Sequence, residues 1–162
     1  MIASLSHRHL LDTLPEVRGR ISADVDLAKL TWFRVGGAAE VLFRPADEID
    51  LIEFLKKLPK GVPLTILGIG SNTLVRDGGI PGVSIRFGRE FNKIKVRGQT
   101  LTVGAGTPNS RLSNVAREKS LGGLEFLCGI PGNLGGSIRM NAGAFDREVK
   151  DIVKKVRAIT RK

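Results

Sequence analysis

The stretch Gly129–Phe145, GIPGNLGGSIRMNAGAF, places glycine at five of its seventeen positions. Ile130, Leu134, Ile138 and Met140 stand among those glycines, so the segment is not a solvated polar linker. Pro131 fixes one backbone angle between Gly129 and Gly132, which stiffens the chain there. Gly135 and Gly136 remove side chains where something flat and bulky can approach the backbone. Asn141, Ala142 and Gly143 then offer one amide side chain between small neighbours. Two readings fit this pattern. One is a wall for a planar heteroaromatic ring with hydrogen-bonding edges; the other is close chain-on-chain packing inside a core.

Three further glycine clusters precede it: Gly36-Gly37 in TWFRVGG, Gly68 and Gly70 in LGIGSNTLVRDGG, and Gly104 and Gly106 in VGAG. The 20 glycines in 162 residues exceed the usual frequency of about 7%. Because they fall in clusters, they report on loops. GIGSNT departs from the dinucleotide-binding fingerprint, since Thr73 stands where the third glycine belongs and no amphipathic helix follows. No glycine is followed by Lys-Ser or Lys-Thr, which excludes a Walker-type loop. The physics of such loops still applies. Glycines flanking Ile69 let successive amides turn inward on an anion, and Ser71 and Asn72 add short polar side chains. A plain tight turn remains the other reading of this piece.

Around these loops the pattern predicts a mixed α+β fold. Asp47–Leu58 reads as a helix, with acidic residues in its first turn and Ile49, Ile52 and Leu55 at helical spacing. Asn109–Lys119 reads as a second. Strands are predicted at Ala39–Phe43, Pro63–Leu67 and Val83–Phe87, with a hairpin of Lys93–Val96 and Thr100–Val103 turning at Gly98-Gln99. Asp151–Thr160 alternates and is expected to form a last strand. A chain stopping just after such a strand suggests an edge, or the front part of something longer.

Composition narrows the function. An apolar fraction of 41% with 26% charged residues is that of a soluble globular protein. The start is broken by charge too early for a signal peptide, and no stretch approaches a membrane span, so a cytoplasmic protein is expected. His7, His9 and Cys128 make no zinc set, and no metal is expected. Cys128, just before Gly129, reads as a small buried apolar residue. The net charge of +10 admits nucleic acid or phosphate-bearing small molecules as partners. Base-stacking aromatics are scarce, with seven Phe and one Trp, so a nucleic-acid module is the weaker reading.

Taken together, Leu67–Phe87 (LGIGSNTLVRDGGIPGVSIRF), Val103–Phe145 (VGAGTPNSRLSNVAREKSLGGLEFLCGIPGNLGGSIRMNAGAF) and Thr31–Gly37 resemble the UDP-N-acetylenolpyruvoylglucosamine reductase family. More broadly they resemble the flavin fold of vanillyl-alcohol-oxidase-type enzymes. The resemblance implies a two-lobed FAD-binding domain, with residues 1–27 an extension, 28–88 the first lobe and 89–162 the second. It implies that Gly68, Ile69, Gly70, Ser71, Asn72 and Leu74 hold the pyrophosphate. Gly129, Ile130, Pro131, Gly132, Gly135, Gly136, Asn141, Ala142 and Gly143 would line the flavin and its ribityl chain, with Arg34 near the ring and Gly104 also among the cofactor-binding residues. The family's reaction uses NADPH to reduce FAD, which then passes hydride to UDP-N-acetylglucosamine enolpyruvate during peptidoglycan synthesis. Its catalytic arginine lies in a Tyr-Arg-x-Ser stretch, with a serine and a glutamate later. This chain has no tyrosine, Arg139 is not that arginine, and no catalytic residue or substrate-binding domain is expected here. The family also continues NAGA with Tyr-Gly or a similar small pair, where this chain has Phe145-Asp146. Another flavin oxidoreductase of the same fold is the nearest rival reading.

Overall fold

A computed structural model describes residues 10–161. The described residues divide into two compact units, residues 10–88 with 159–161 and residues 89–158. His7 and His9 lie outside the described residues.

The first unit is built on a four-stranded sheet in the order β1-β2-β4-β3. Strand β1, Arg20–Asp26, runs antiparallel to β2, Ala38–Arg44, while β3, Leu64–Leu67, and β2 both run parallel to β4, Ile80–Arg86. Between β2 and β3 comes α1, Glu48–Lys57. Asp47 caps it by accepting from the Asp50 amide at 2.9 Å, and Glu48 and Asp50 sit at its positive end. Leu51, Phe54 and Leu55 are its buried positions, and the Phe54 ring lies 4.3 Å from that of Phe43. Asp50 is itself buried, and its carboxylate accepts from the amides of Arg18, Gly19 and Ala46. Those three donors satisfy the buried charge and tie the strand entry to the helix start. Alternation along β2 puts Leu42 on the opposite face from Phe43, where it packs with Leu27, Leu67 and Val75.

The second unit has the antiparallel hairpin β5, Ile94–Arg97, and β6, Thr100–Val103. Gly98 takes a φ of +54° at its turn, as the sequence leads one to expect. Then follow α2, Asn109–Glu118, a 3₁₀ turn Glu125–Gly129, and the short helix α3, Leu134–Met140. A small hairpin of β7, Gly143–Ala144, and β8, Arg147–Glu148, closes the order before a 3₁₀ turn at Val149–Asp151. Leu112, Phe126, Leu127, Ile130, Leu134 and Val149 form one core.

The mixed α+β class is as the sequence indicates, and three local expectations are corrected. Arg20–Asp26 is a sheet strand within the stretch read as an extension, with Ile21, Ala23 and Val25 alternating against charged and polar neighbours. Asp151–Thr160 is not a strand: it has no ladder partner among the described residues, and alternation without a partner leaves the backbone unpaired. Cys128 is exposed, because the 3₁₀ turn buries Phe126 and Leu127 instead.

Candidate functional site

In the first unit, β3 ends at Leu67 and the chain turns at Gly68. Gly70 has a φ of +74°, and a Cβ there would stand 2.7 Å from the Thr31 Cα. That close approach lets the Trp32 amide donate to the Gly70 carbonyl at 3.0 Å. Further along, the Gly37 amide donates to the Arg76 carbonyl at 2.9 Å, and Val75 is buried. The segments Thr31–Gly37 and Gly68–Asp77 therefore run side by side. Arg34, Gly68, Ile69, Gly70, Ser71, Asn72 and Leu74 all belong to this pair of segments. Facing outward on them are Trp32, Phe33, Val35 and Leu74, each at least half exposed. So much uncovered apolar surface beside a glycine loop suits a large, partly aromatic ligand.

In the second unit, two loops are stitched together by backbone bonds. The Asn109 amide donates to Gly132, the Leu134 amide to Thr107 and the Gly135 amide to Ala105, at 3.0, 2.9 and 2.8 Å. Asn109 is fully buried, and its Nδ2 donates to the Ile130 carbonyl at 3.0 Å and the Ser137 Oγ at 2.7 Å. Asn133 reaches the Gly106 carbonyl with its own Nδ2. These bonds hold Gly129, Ile130, Pro131 and Gly132 and the start of α3 against Gly104–Thr107. Neither Thr107, Asn109 nor Asn133 was singled out from the sequence. The available signal was a polar Thr-Pro-Asn run between a strand and a helix.

The glycines of this unit divide by what surrounds them. A Cβ on Gly104 would lie 2.1 Å from the Phe91 carbonyl oxygen, and one on Gly135 would lie 3.0 Å from the Ala105 Cβ; both answer to chain packing. Gly143 stands 2.8 Å, on the same measure, from the Arg147 oxygen, and Gly129 carries the edge of the Phe145 ring. Gly136 differs: nothing of the protein lies within 4 Å of its missing side chain. Ile130 is core, so only its backbone can face a ligand. Asn141 ends α3 in the left-handed region at φ +47°. Its amide is used within the protein, with Nδ2 donating to Glu148 at 3.0 Å and Oδ1 accepting from the Lys150 amide at 2.9 Å. Ala142 packs against the core beside it. Lys150 first, then Asn141, holds the Glu148 carboxyl below its usual range.

These surroundings fit an FAD. The uncovered face of Gly136 has the exposed Met140 on the same short helix. Thr107 Oγ1 and Asn109 Oδ1 are buried beneath the stitched loops without a hydrogen-bond partner. A glycine-lined, partly apolar surface over unspent polar atoms is what a cofactor of this kind requires. Among the described residues no cluster of His, Cys, Asp or Glu is placed to hold a metal. Nor, among them, is any helix long and apolar enough to cross a membrane.

A family described as FAD binding domain matches residues 39–162. The chain belongs to this FAD-binding family. It is 56% identical over 153 residues to a UDP-N-acetylenolpyruvoylglucosamine reductase of Rhodospirillum rubrum, covering 94% of this chain and 48% of that protein. A protein of the same name from Parvibaculum lavamentivorans is 52% identical over 161 residues, with 99% and 52% covered. Among solved structures, the UDP-N-acetylenolpyruvylglucosamine reductase of Thermus caldophilus superposes with a TM-score of 0.66 at 35% identity, covering 82% of this chain and 46% of that one. The resemblance read from the glycine motifs is thus borne out, and this FAD-binding family member spans about half the length of the curated relatives it matches.

Proposed function

We propose that this chain is the FAD-binding part of an NADPH-dependent reductase that converts UDP-N-acetylglucosamine enolpyruvate to UDP-N-acetylmuramate in the cytoplasm. The observation that carries this is the apposition of Gly104–Thr107 with Gly132–Gly135, which leaves Gly136 bare. The named relatives support the choice of reaction. In the first unit, Gly68, Ile69, Gly70, Ser71, Asn72 and Leu74 would bind the pyrophosphate, and Arg34 would lie toward the ring. In the second, Ile130–Gly132, Gly136 and Ala142 would line the flavin, while the close-packed Gly129, Gly135 and Gly143 would shape the loops beside it. Gly104 and Asn141 would act through the backbone they position. FAD when bound supplies the hydride-transfer chemistry; the residues of this chain bind it, orient it and keep water from one face. We assign residues 20–88, the β1 strand included, to the first lobe and 89–158 to the second, with substrate binding and protonation assigned to the part of the relatives' length that this chain does not span.

The test uses the complete protein that carries this chain, kept free of oxygen. Adding NADPH should bleach the flavin absorbance, and adding UDP-N-acetylglucosamine enolpyruvate should restore it. Flavin that NADPH leaves oxidised, or that the enolpyruvate leaves reduced, would sink the assignment. Binding of an oligonucleotide in place of flavin would favour the basic nucleic-acid reading.

A further inference from the structure

Three arginines stand in one row across the first unit's sheet. Arg20 on β1 is directly opposite Arg44 on β2. One step beyond the pair Phe43↔Ile85, the parallel register sets Arg44 beside Arg86 on β4. Arg86 is in turn opposite Leu67, the last residue of β3. Residues in register on neighbouring strands share a face, so three guanidinium side chains leave the same side of the sheet. Like charges placed directly opposite are destabilising, and a bound anion would relieve that repulsion.

Nothing among the described residues does so. None of the ion pairs or side-chain hydrogen bonds among the described residues takes in Arg20, Arg44 or Arg86; the nearby Arg18 is paired with Asp47 instead. Arg86 is half-buried, and its guanidinium is pulled below its ordinary value by that burial and then by the Arg44 charge, with no carboxylate acting on it. Two residues back along β4 on the same face, Ser84 is fully buried and its hydroxyl has no partner. The row lies at the carboxyl-terminal ends of three parallel strands, where open α/β sheets take their ligands. Its fourth member, Leu67, leads straight into Gly68.

We propose that Arg20, Arg44 and Arg86 form a binding site for a phosphoryl anion at the carboxyl-terminal edge of this sheet. The planar guanidinium fork matches phosphate oxygens two at a time, and a row of three suits a pyrophosphate or a dianion better than a single carboxylate. The phosphate belongs either to the FAD pyrophosphate or to a separate nucleotide or phosphate ligand. The proposal rests on the flavin reading only for the first of these sources.

The test titrates the chain with FAD, riboflavin, ADP and inorganic phosphate at low salt, comparing the native protein with the double variant Arg44→Gln/Arg86→Gln. Expected is a loss of about tenfold or more in affinity for FAD, with riboflavin, which carries no phosphate, held equally by both proteins. If FAD is held equally while ADP or phosphate binding is lost, the row serves a separate ligand and the proposal stands. Equal affinities of the two proteins for FAD, ADP and phosphate overturn it. A native chain that takes ADP in a row-dependent way and ignores FAD would instead overturn the flavin reading and leave the row. Without ligand, the variant should melt at the native temperature or above, since repulsion has been removed. A lower melting temperature would mean that the guanidinium groups have partners within the protein, and would also overturn the proposal.

Discussion

Replacing Asn109 with alanine removes both hydrogen bonds that its side chain makes inside the second unit. The Ile130 carbonyl loses its donor, while the Ser137 hydroxyl keeps a longer bond to the Asn133 carbonyl at 3.3 Å. Two lost bonds and one stranded acceptor cost about 2–4 kcal/mol. Against this, the Asn109 Oδ1 is buried and unpartnered already, so deleting it returns about 1 kcal/mol. The net loss is about 2 kcal/mol, which for a chain of this size lowers the melting temperature by about 4–8 °C. Thermal unfolding followed by circular dichroism reads the shift, and urea unfolding should show a lower midpoint with an unchanged slope. Asn109→Asp should fall further, because it removes the donors and buries a charge. An alanine variant melting within 1 °C of the native chain would refute the view that Asn109 pins the Gly129–Gly132 loop.

Phe145 and Asp146 both sit at positive φ, +53° and +57°, at the two-residue turn between β7 and β8. Exchanging them for Asn-Gly should stabilise the fold by about 1 kcal/mol, measured as a melting temperature raised by about 2–4 °C; a fall would count against the turn assignment. Gly70→Ala should lose at least about 2 kcal/mol in urea unfolding, since it combines a left-handed backbone with a Cβ against Thr31. In acid, Asp47, held low first by Arg18 and then by the Asp50 amide, and Glu148, held low by Lys150, contribute stability at neutral pH. Carboxyls depressed in the fold keep that contribution above their ordinary value near pH 4 and lose it as pH falls through the depressed one. Urea midpoints should therefore drop below about pH 4, and less so in Asp47→Asn; a flat profile there would contradict the pairing.

Much of the fold was legible because its signals are local. The α1 helix announces itself through Asp47 and its acidic first turn, and the β5–β6 hairpin through Gly98. Of the spaced Ile49, Ile52 and Leu55, however, only Leu55 is buried, and the core face of α1 is Leu51, Phe54 and Leu55. The α3 helix was hidden by Gly135 and Gly136, poor helix formers that tertiary bonds from Asn109 and Thr107 hold in place. Strand β1 carried its alternation openly, but its membership of the sheet depends on pairing with β2, which no local pattern states. Sequence reading found the glycines of the site and could not sort them. Only the surroundings separate Gly104, fitted against the Phe91 backbone, from Gly136, which faces nothing.

That distinction sets the most direct measurement: the visible spectrum of the chain after incubation with FAD and gel filtration, for the native protein and for Gly136→Ala. Alanine at this helical position should leave the melting temperature unchanged or raise it, since it favours the helix by about 1 kcal/mol and meets no protein atom within 4 Å. The flavin bands should elute with the native chain and be weaker in the variant. A native chain that emerges colourless, or a variant that holds flavin equally well, would contradict a flavin wall at Gly136.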